Sequence, residues 1–313
     1  MNTTATAVES ESSANWKNAA ASCACCGNTG WEVLHNNVWS IYAETSYRLL
    51  RCQQCHHVQT SPPPPAEVLS QVYQATYQYD VHLAVKPEKR YRCRRLARSL
   101  AGEMRLRDCR VLEVGCMHGF LLRALQDRGA EVEGIEIDAD AVQLCKQAGL
   151  HVRKLAVEEL NPSDNTGYDL IVMMHVLEHV ADPAQTVRKL AGLLKPGGQI
   201  TICVPNSRSL TARILGRAWG WWQVPIHLNH FHAGSLKELL QRNGLTITRS
   251  RHRGGDSLLL MLNILNLLGR RGDKKKRPLG RSGRLFLNIY CRIFKYWCWF
   301  GDEELVVSAR RHA

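Results

Sequence analysis

The sequence predicts an α/β protein in which a mostly parallel sheet carries helices on both faces, together with a small cysteine-rich unit near the N-terminus. Two observations carry this prediction. Between residues 109 and 206, short apolar runs alternate with amphipathic segments, as strands and helices do in βαβ units. Before that region, two Cys-x-x-Cys pairs lie within residues 23–55. We therefore expect two structural units of different kinds.

Size and composition are those of a globular protein. The chain has 313 residues, of which 45% are hydrophobic and 22% are charged. The first residues lack the basic and apolar regions of a secretory signal, and no apolar run reaches the roughly 20 residues of a membrane-spanning helix. We therefore expect a cytoplasmic location. The net charge is +13, and residues 270–284 hold eight Lys and Arg against one Asp, so one segment carries more than half of the excess.

Composition divides the chain into four predicted parts. Residues 1–20 are rich in Ala, Ser, Thr and Asn, which is typical of a disordered tail. The cysteine-rich residues 21–65 end in the stiff spacer SPPPP. Residues 66–107 are predicted to form a helical linker or lid. Residues 108–313 form the predicted α/β domain, which an apolar and basic insertion at 257–300 interrupts.

The secondary structure can be predicted element by element. Leu96, Leu100 and Met104 recur at four-residue spacing, which indicates a helix. Asp138 and Asp182 are predicted helix N-caps, and glycines end the helices. The following strands are predicted at 109–115, 131–137, 151–155, 168–176 and 199–206, with helices at 120–129, 138–149 and 182–198. Residues 233–253 add a helix and a strand, and 304–311 form the last strand.

The two cysteine pairs have the spacing of a metal site. Cys23 and Cys26 form one pair, and Cys52 and Cys55 form the other. Two such turns can place four thiolates around a tetrahedral Zn²⁺. A fragment of about 40 residues has little core of its own, so the metal would supply much of its folding energy. We predict a structural zinc site with no open position for catalysis. Four cysteines without metal are the alternative, and other available ligands are Cys25, His56 and His57.

The segment VLEVGCMHGF, residues 111–120, predicts a glycine turn between a strand and a helix. Its glycines, Gly115 and Gly119, do not have the G-x-G-x-x-G spacing of a dinucleotide fold. The acidic Glu113 is compatible with a cationic cofactor but would disfavour a pyrophosphate. Met117 stands where a further glycine is expected. A negative φ there would fit the turn, whereas a positive φ would be strained and would weaken cofactor binding.

Taken in order, these motifs resemble class I S-adenosylmethionine-dependent methyltransferases. The segments YDLIVMMHVLEHVADP and LLKPGGQITICVPN resemble that family closely, and the last strand, DEELVVSAR, is also similar. The paired cysteines resemble the subgroup with an N-terminal zinc ribbon, which acts in saccharide and natural-product pathways. The resemblance implies a Rossmann-like, seven-stranded, mostly parallel sheet, S-adenosylmethionine as cofactor, and a small-molecule or saccharide acceptor.

The resemblance also implies which residues contact the cofactor. Glu136, about 20 residues after the turn, would accept hydrogen bonds from both ribose hydroxyls. Asp138 is the alternative, although its position favours a helix cap. Glu158 departs from the family's pattern, in which Asp is more usual. The implied contacts are Glu113, Gly115 and Gly119 at the methionine end, Glu136 at the ribose, Glu158 near the adenine, and His175 in the pocket wall.

Histidines are the candidate general bases, because an oxygen or carbon acceptor has to lose a proton. His179 follows the fourth strand in LEHV, where the family also has a histidine. His227 and His230 precede a helix and resemble a family stretch near the acceptor. The alternative is that His179 orients a loop and that the other two cap the helix or pack together. We expect His232 at the surface and an aromatic wall formed by Trp219, Trp221 and Trp222.

Three further questions stay open on the sequence. The insertion at 257–300 is either a lid over the acceptor or a surface that contacts anionic membrane. Its basic charge could attract RNA, but no RNA-binding module accompanies it, so the sequence argues against a nucleic-acid partner. A non-catalytic protein that keeps the fold is the alternative to an enzyme, and Met117 is the observation behind it.

Overall fold

The computed structural model of the protein describes residues 22–40, 43, 45–65, 67–69, 71–72, 87–161, 167–254 and 302–312. The predicted tail at 1–20 and the insertion at 257–300 lie outside these residues, together with the disorder, lid and membrane-contact predictions made for them. Within the described ranges, every helix is too short or too polar to cross a lipid bilayer.

The described residues include eleven strands and six α-helices. The strands are β1 (Trp31–Trp39), β2 (Ser46–Cys52), β3 (Val58–Ser61), β4 (Arg110–Val114), β5 (Glu131–Glu136), β6 (Val152–Lys154), β7 (Tyr168–Met174), β8 (Leu194–Pro205), β9 (Asn229–His230), β10 (Leu245–Arg253) and β11 (Glu304–Arg311). The α-helices are α1 (Pro87–Ala101), α2 (Phe120–Gln126), α3 (Ala139–Gln147), α4 (Pro183–Leu193), α5 (Leu210–Leu215) and α6 (Ala233–Arg242). Short 3₁₀ helices lie at Val157–Glu159, Gly216–Ala218 and Gly220–Trp222.

Seven strands form the predicted Rossmann-like sheet, in the order β10-β11-β8-β7-β4-β5-β6. The pairs β4–β5, β4–β7, β5–β6 and β7–β8 are parallel, so the carboxyl ends of these strands share one edge. Most of their residues are apolar and buried, as a sheet covered by helices requires. The predicted fold class is therefore confirmed.

Helices α1 and α2 bury their apolar faces in one cluster with this sheet. Leu96 and Leu100 of α1 are buried with Leu125 of α2 and Leu170 of β7, and Met104 packs against them half-buried. The four-residue spacing of the apolar side chains on α1 thus matches the surface that the helix buries.

The described residues divide into two compact units, and each is discontinuous in sequence. The cysteine-bearing unit contains the described residues of 1–72, 205–238 and 252–304. The α/β unit contains those of 73–204, 239–251 and 305–313.

The sheet of the cysteine-bearing unit has the order β1-β2-β3-β9, and β9 is distant in sequence from the other three strands. It joins because His230 and Asn229 pair antiparallel with Val58 and Gln59 of β3. A two-residue strand has no alternating pattern, so a contiguous unit ending at residue 65 was all that the sequence could indicate.

Glu103, in the turn after α1, is the polar anchor of the sheet edge formed by β8, β11 and β10. Its carboxylate accepts hydrogen bonds from Ser308 Oγ at 2.7 Å and from Gln199 Nε2 at 3.2 Å. It also pairs with the guanidinium of Arg251. The Glu103 side chain is only 7% exposed. Removal of its carboxylate would therefore leave these partners without an acceptor where little water can replace it.

We expect Glu103→Ala to lower the free energy of unfolding by about 2–4 kcal/mol, because it leaves a partly buried Arg251 without its counter-charge. Urea denaturation of the folded chain measures this change. Glu131→Ala, at an exposed position of β5, is the matched control and should be nearly neutral. Equal effects of the two substitutions would contradict the anchoring role of Glu103.

Candidate functional site

The glycine turn, residues 115–119, joins β4 to α2 at the carboxyl edge of the sheet. The backbone N–H groups of Gly115 and Cys116 both donate to the Ile135 carbonyl oxygen, at 2.9 and 3.2 Å. The N–H of Gly119 donates to the Cys116 carbonyl oxygen at 2.8 Å. The turn is therefore closed on itself and fastened to the end of β5.

Both glycines of the turn are required, because the backbone conformation and the close neighbours at each position exclude a side chain. Gly115 has φ +71° and Gly119 has φ +67°, which lie in the left-handed region. A Cβ on Gly115 would lie 2.4 Å from Cγ2 of Val176, and a Cβ on Gly119 would lie 2.3 Å from Cδ1 of Leu150. No larger residue fits either position without movement of the neighbours.

Met117 has φ +46°, which is the strained one of the two conformations considered for it. The left-handed region costs a non-glycine residue about 1–2 kcal/mol. Two contacts hold Met117 there. Its N–H donates to Glu136 Oε2 at 2.9 Å, and its carbonyl oxygen accepts from Cys145 Sγ at 3.1 Å. The turn thus has the conformation for which strain and weaker cofactor binding are expected.

Glu136 ends β5 and lies directly against the glycine turn. Besides the bond from Met117, its Oε1 accepts from the N–H groups of Ile137 at 2.7 Å and Asp138 at 3.0 Å. The residue is 2% exposed, and burial raises the pKa of its carboxyl. Each oxygen has two lone pairs, so Oε1 is fully used and one lone pair on Oε2 is left for a ligand hydroxyl. Asp138 instead accepts from the Ala141 N–H at 2.7 Å and caps α3, as its position favours.

Glu113 is buried below the turn and supports the helix that follows it. Its Oε2 accepts from the Leu122 N–H at 3.1 Å, in the first turn of α2. The N-cap residue of α2 is Gly119, which has no side chain, so the Glu113 carboxyl takes the place of a capping group. Burial raises the pKa of this carboxyl well above its usual value. Its side-chain hydrogen bond is thus made with the helix that follows the glycine turn.

The other two predicted cofactor residues lie beyond neighbouring strands. His175 follows β7 with φ +55°, and its N–H donates to the Cys203 carbonyl oxygen at 2.9 Å. Its Nδ1 lies 3.2 Å from Oε1 of the buried Glu178. Glu158 lies in the 3₁₀ helix after β6, with an exposed side chain and a carbonyl oxygen that accepts from Lys189 Nζ. The structure thus brings Glu136 onto the turn and His175 to the end of the neighbouring strand, whereas Glu158 is exposed beyond β6.

His227 is a buried histidine whose tautomer the structure determines. Its Nδ1 lies 2.7 Å from the Trp221 carbonyl oxygen, and its ring stacks on the Trp221 ring. A carbonyl oxygen can only accept, so Nδ1 carries the hydrogen and the neutral ring keeps its lone pair on Nε2. His179 belongs to the α/β unit and is half-buried. Its N–H donates to the Val176 carbonyl oxygen at 2.9 Å, which forms a turn.

His230 has the surroundings of a core histidine. It lies in β9, its Nε2 is 3.0 Å from Thr60 Oγ1, and its ring meets the Trp222 ring edge-on. Burial lowers the pKa of His230 to about 3, far from the neutral range that suits a general base. His232 is only 7% exposed, so the expected surface position is wrong. It is buried because its Nε2–H donates to the Cys55 carbonyl oxygen at 2.9 Å.

Two of the three tryptophans expected to line an acceptor site are instead core residues. Trp219 and Trp222 are fully buried and pack against Leu49 of β2 and Val58 of β3. Trp221 is half-buried and is the one that stacks on His227. Large aromatic side chains bury the most apolar area, so the small cysteine-bearing unit uses them as its core.

The four predicted cysteine ligands converge on one point. The Sγ atoms of Cys23, Cys26, Cys52 and Cys55 all lie within 4.8 Å of one another. The distances are 3.6 Å for Cys23–Cys55 and 3.5 Å for Cys26–Cys52. Tetrahedral zinc with Zn–S bonds of about 2.3 Å places its sulfurs about 3.8 Å apart, so this set fits the metal. Cys25, considered as an alternative, is buried beside Cys23 but lies outside the set.

The two cysteine pairs lie on equivalent turns. The Gly27 N–H donates to the Cys23 carbonyl oxygen at 2.7 Å, and the His56 N–H donates to the Cys52 carbonyl oxygen at 3.0 Å. Gly27 and His56 both have a positive φ, of 78° and 58°. Asn28 adds a donor, since its Nδ2 lies 3.7 Å from Cys52 Sγ. These turns and the donor are those expected around metal-bound thiolates.

Glu303 is a candidate proton-transfer residue that the sequence did not indicate. Its Oε2 accepts from Trp219 Nε1 at 3.1 Å and from Ser209 Oγ at 3.4 Å. Burial raises the pKa of Glu303 to about 7, which is a value suited to proton transfer. The run of three acids at 302–304 was the available signal, but it gave no indication that one of them is buried beside a tryptophan.

Residues 85–250 match the family model described as a methyltransferase domain, which is just over half of the chain. The chain therefore belongs to the methyltransferase-domain family, which confirms the family that its motifs resemble.

Individual relatives agree with this assignment. The ubiquinone biosynthesis O-methyltransferase of Alkalilimnicola ehrlichii is 38% identical over 115 residues, which cover 34% of this chain and 47% of the relative. That of Bordetella avium is 37% identical over 125 residues, which cover 37% of this chain and 51% of the relative. The chain thus matches about half the length of these relatives.

A solved S-adenosylmethionine-dependent methyltransferase from Archaeoglobus fulgidus has the same fold. Its TM-score to this chain is 0.52 at 18% identity, and the alignment covers 75% of this chain and 99% of the other. At that level of identity, the likeness concerns the fold alone.

We expect Gly119→Ala to lower both the free energy of unfolding and the affinity for S-adenosylmethionine. The substitution combines a positive φ with a Cβ that overlaps Leu150, and overpacking of this kind costs about 1–3 kcal/mol. Gly149→Ala is the matched control, because Gly149 has φ +73° with nothing within 4 Å of the added Cβ. Urea denaturation and calorimetric titration measure the two effects. A Gly119→Ala protein that behaves like Gly149→Ala would show that the close contact is unimportant.

For Met117 we expect the glycine variant to bind S-adenosylmethionine about fivefold more tightly, since glycine adopts the left-handed conformation without the backbone cost of about 1 kcal/mol. Met117→Val should bind more weakly, because a β-branched residue tolerates a positive φ least. Isothermal titration of the three proteins measures the affinities. Equal affinities across the series would mean that this conformation has no influence on binding.

Proposed function

We propose that the protein transfers a methyl group from S-adenosylmethionine to a hydroxyl oxygen of a small-molecule acceptor. The observation that carries this proposal is the closed glycine turn with the buried Glu136 carboxyl against it, within a methyltransferase domain.

The hydrogen bonding of the turn favours this cofactor over a dinucleotide. The N–H groups of Gly115, Cys116, Met117 and Gly119 all have acceptors inside the protein. A pyrophosphate needs such donors and avoids a neighbouring carboxyl. S-adenosylmethionine has no phosphate, carries a positive sulfonium, and presents ribose hydroxyls, one of which can donate to the remaining lone pair of Glu136 Oε2. In this proposal the glycines allow close approach of the cofactor, and Glu113 maintains the turn through α2.

The acceptor is inferred from the relatives. Their printed name, ubiquinone biosynthesis O-methyltransferase, supports a hydroxyl group on a quinone precursor as the first acceptor to test. A nucleotide-linked or lipid-linked sugar is the second candidate, and the specific observation that favours it is the cysteine cluster, which resembles that of the zinc-ribbon subgroup. Both candidates present a hydroxyl that must lose its proton during transfer.

His227 is the proposed general base among the predicted histidines. Its Nδ1 hydrogen bond to the Trp221 carbonyl oxygen orients the ring and leaves the lone pair on Nε2, which is the state a base requires. His179 is the alternative base, and His230 has a packing role because burial keeps it neutral.

The cysteine cluster is proposed to hold a structural Zn²⁺. Zinc bound by four thiolates stabilises the fold of a small unit and leaves no coordination position for a substrate. Cys23, Cys26, Cys52 and Cys55 would be its ligands.

The activity is tested with labelled S-adenosylmethionine and two sets of acceptors, quinone precursors with free hydroxyls and sugar nucleotides or lipid-linked saccharides. We expect transfer to one set, and we expect His227→Asn to lower kcat/KM by about 10²–10⁴-fold. Asn keeps a donor for the Trp221 carbonyl oxygen but has no basic nitrogen. Its S-adenosylmethionine affinity should equal that of the wild type.

His179→Asn is the comparison that separates the two candidate bases. If His179→Asn loses all methyl-transfer activity while His227→Asn remains active, His179 is the general base. Verified folded protein that binds no S-adenosylmethionine in calorimetric titration would refute the whole proposal and leave a non-catalytic domain. Steeply salt-dependent RNA binding, with methyl transfer to RNA, would refute the small-molecule acceptor.

A further inference from the structure

The cysteine cluster and the candidate base are connected through one short stretch of chain, which we name the histidine segment, residues 226–232. We propose that metal bound by the cysteine cluster positions His227, and that His232 and Thr60 are the positioning residues that transmit this effect. The importance of His227 for catalysis rests on the function proposed above, whereas the structural coupling stands on its own contacts.

The first connection is between His232 and a cysteine of the cluster. The Gly234 N–H donates to His232 Nδ1 at 3.1 Å, so the hydrogen of the neutral ring is on Nε2. That Nε2–H donates to the Cys55 carbonyl oxygen at 2.9 Å. His232 is also tied to α6, because its N–H donates to Ser235 Oγ at 3.1 Å. One side chain therefore spans from the second cysteine turn to the end of the histidine segment.

The second connection runs through β3, which begins three residues after Cys55. Thr60 Oγ1–H donates to the His227 carbonyl oxygen at 2.7 Å, and the Thr60 N–H donates to the Leu228 carbonyl oxygen at 3.0 Å. The hydroxyl hydrogen is thereby used, so His230 Nε2, 3.0 Å from Thr60 Oγ1, is the donor in that contact. A single threonine thus holds the main chain at His227 and the ring of His230.

The third connection lies between these two. His57 Nε2–H donates to Asn229 Oδ1 at 3.2 Å, and the His57 ring lies 4.9 Å from the Phe231 ring. Cys55 and two positions after it, His57 and Thr60, therefore contact the histidine segment. The side chains of His57, Thr60 and His232 are buried, so the loss of these hydrogen bonds would leave buried polar atoms without partners, which is costly.

These contacts make the position of β3 depend on the cysteine turn that precedes it. Four thiolates that meet within 4.8 Å repel one another unless a cation or protons separate them. Removal of the metal would therefore loosen the turn at Cys55, and the carbonyl oxygen that His232 needs would shift. Groups around a metal site commonly alter its affinity by 10–100-fold when they are removed. His232 accordingly stabilises the metal site, and the metal stabilises the histidine segment.

The direct test compares hydrogen exchange of the full-length protein with and without zinc, after chelation and verification by atomic absorption. We expect the amides of residues 226–232 to exchange at least tenfold faster without zinc. The peptide that contains the glycine turn, residues 111–120, should be unchanged and so serves as the internal control. Unchanged exchange of 226–232 in metal-free protein overturns the proposal.

Substitutions test the two positioning residues without removal of the metal. His232→Phe removes the donor to Cys55, and we expect at least a tenfold rise in the dissociation constant for Zn²⁺. His232→Gln restores an amide donor at the Nε2 position and should recover most of the affinity. Thr60→Val keeps the shape but removes the hydroxyl, so we expect faster exchange at His227 and a lower kcat with an unchanged S-adenosylmethionine affinity.

His252→Ala, at an exposed position of the same unit, is the matched control and should leave every readout unchanged. Equal zinc affinity in the wild type and His232→Phe overturns the role of His232. If exchange and zinc affinity respond as expected but no acceptor is methylated, the coupling stands and the proposed function fails. If methyl transfer occurs but the exchange of 226–232 does not depend on zinc, the function stands and the coupling fails.

Discussion

The hydrogen bond from the Met117 N–H to the buried carboxyl of Glu136 is the contact on which the candidate cofactor site depends. It joins the glycine turn after β4 to the end of β5, so two parallel strands present their carboxyl ends as one surface. The bond also explains how a methionine remains at a positive φ, because the carboxyl fixes its N–H in that orientation. Position and strain at this turn are thus two results of one interaction.

A different principle organises the cysteine-bearing unit. Its sheet is small, and its core depends on buried tryptophans together with the cysteine cluster. Buried histidines form hydrogen bonds to their neighbours in defined tautomers, as His230 does with Thr60 and His232 with Cys55. A network of this kind leaves little freedom to any member, because each lost bond strands a polar atom away from water.

The two units differ in how much of their structure could be predicted from the sequence. For the α/β unit, the strands and the helix caps at Asp138 and Asp182 follow from local patterns, whereas the contact of Glu136 with the turn depends on the pairing of β4 with β5. For the cysteine-bearing unit, the cluster of four cysteines follows from their spacing, but the burial of Trp219, Trp222 and His232 does not. Those three residues are polar or amphipathic in character, and their burial depends on partners far away along the chain.

The sequence by itself determined the order of strands and helices, the glycine turn and the cysteine set, because each depends on residues a few positions apart. Only the tertiary structure decided that residues 205–238 join the cysteine-bearing unit, that Glu113 caps a helix, and that Glu303 is buried beside Trp219. The physical reason is the same in each case. A hydrogen bond or a pKa shift between distant residues depends on the burial of both residues together. That burial exists only in the folded chain, so a local sequence pattern does not contain it.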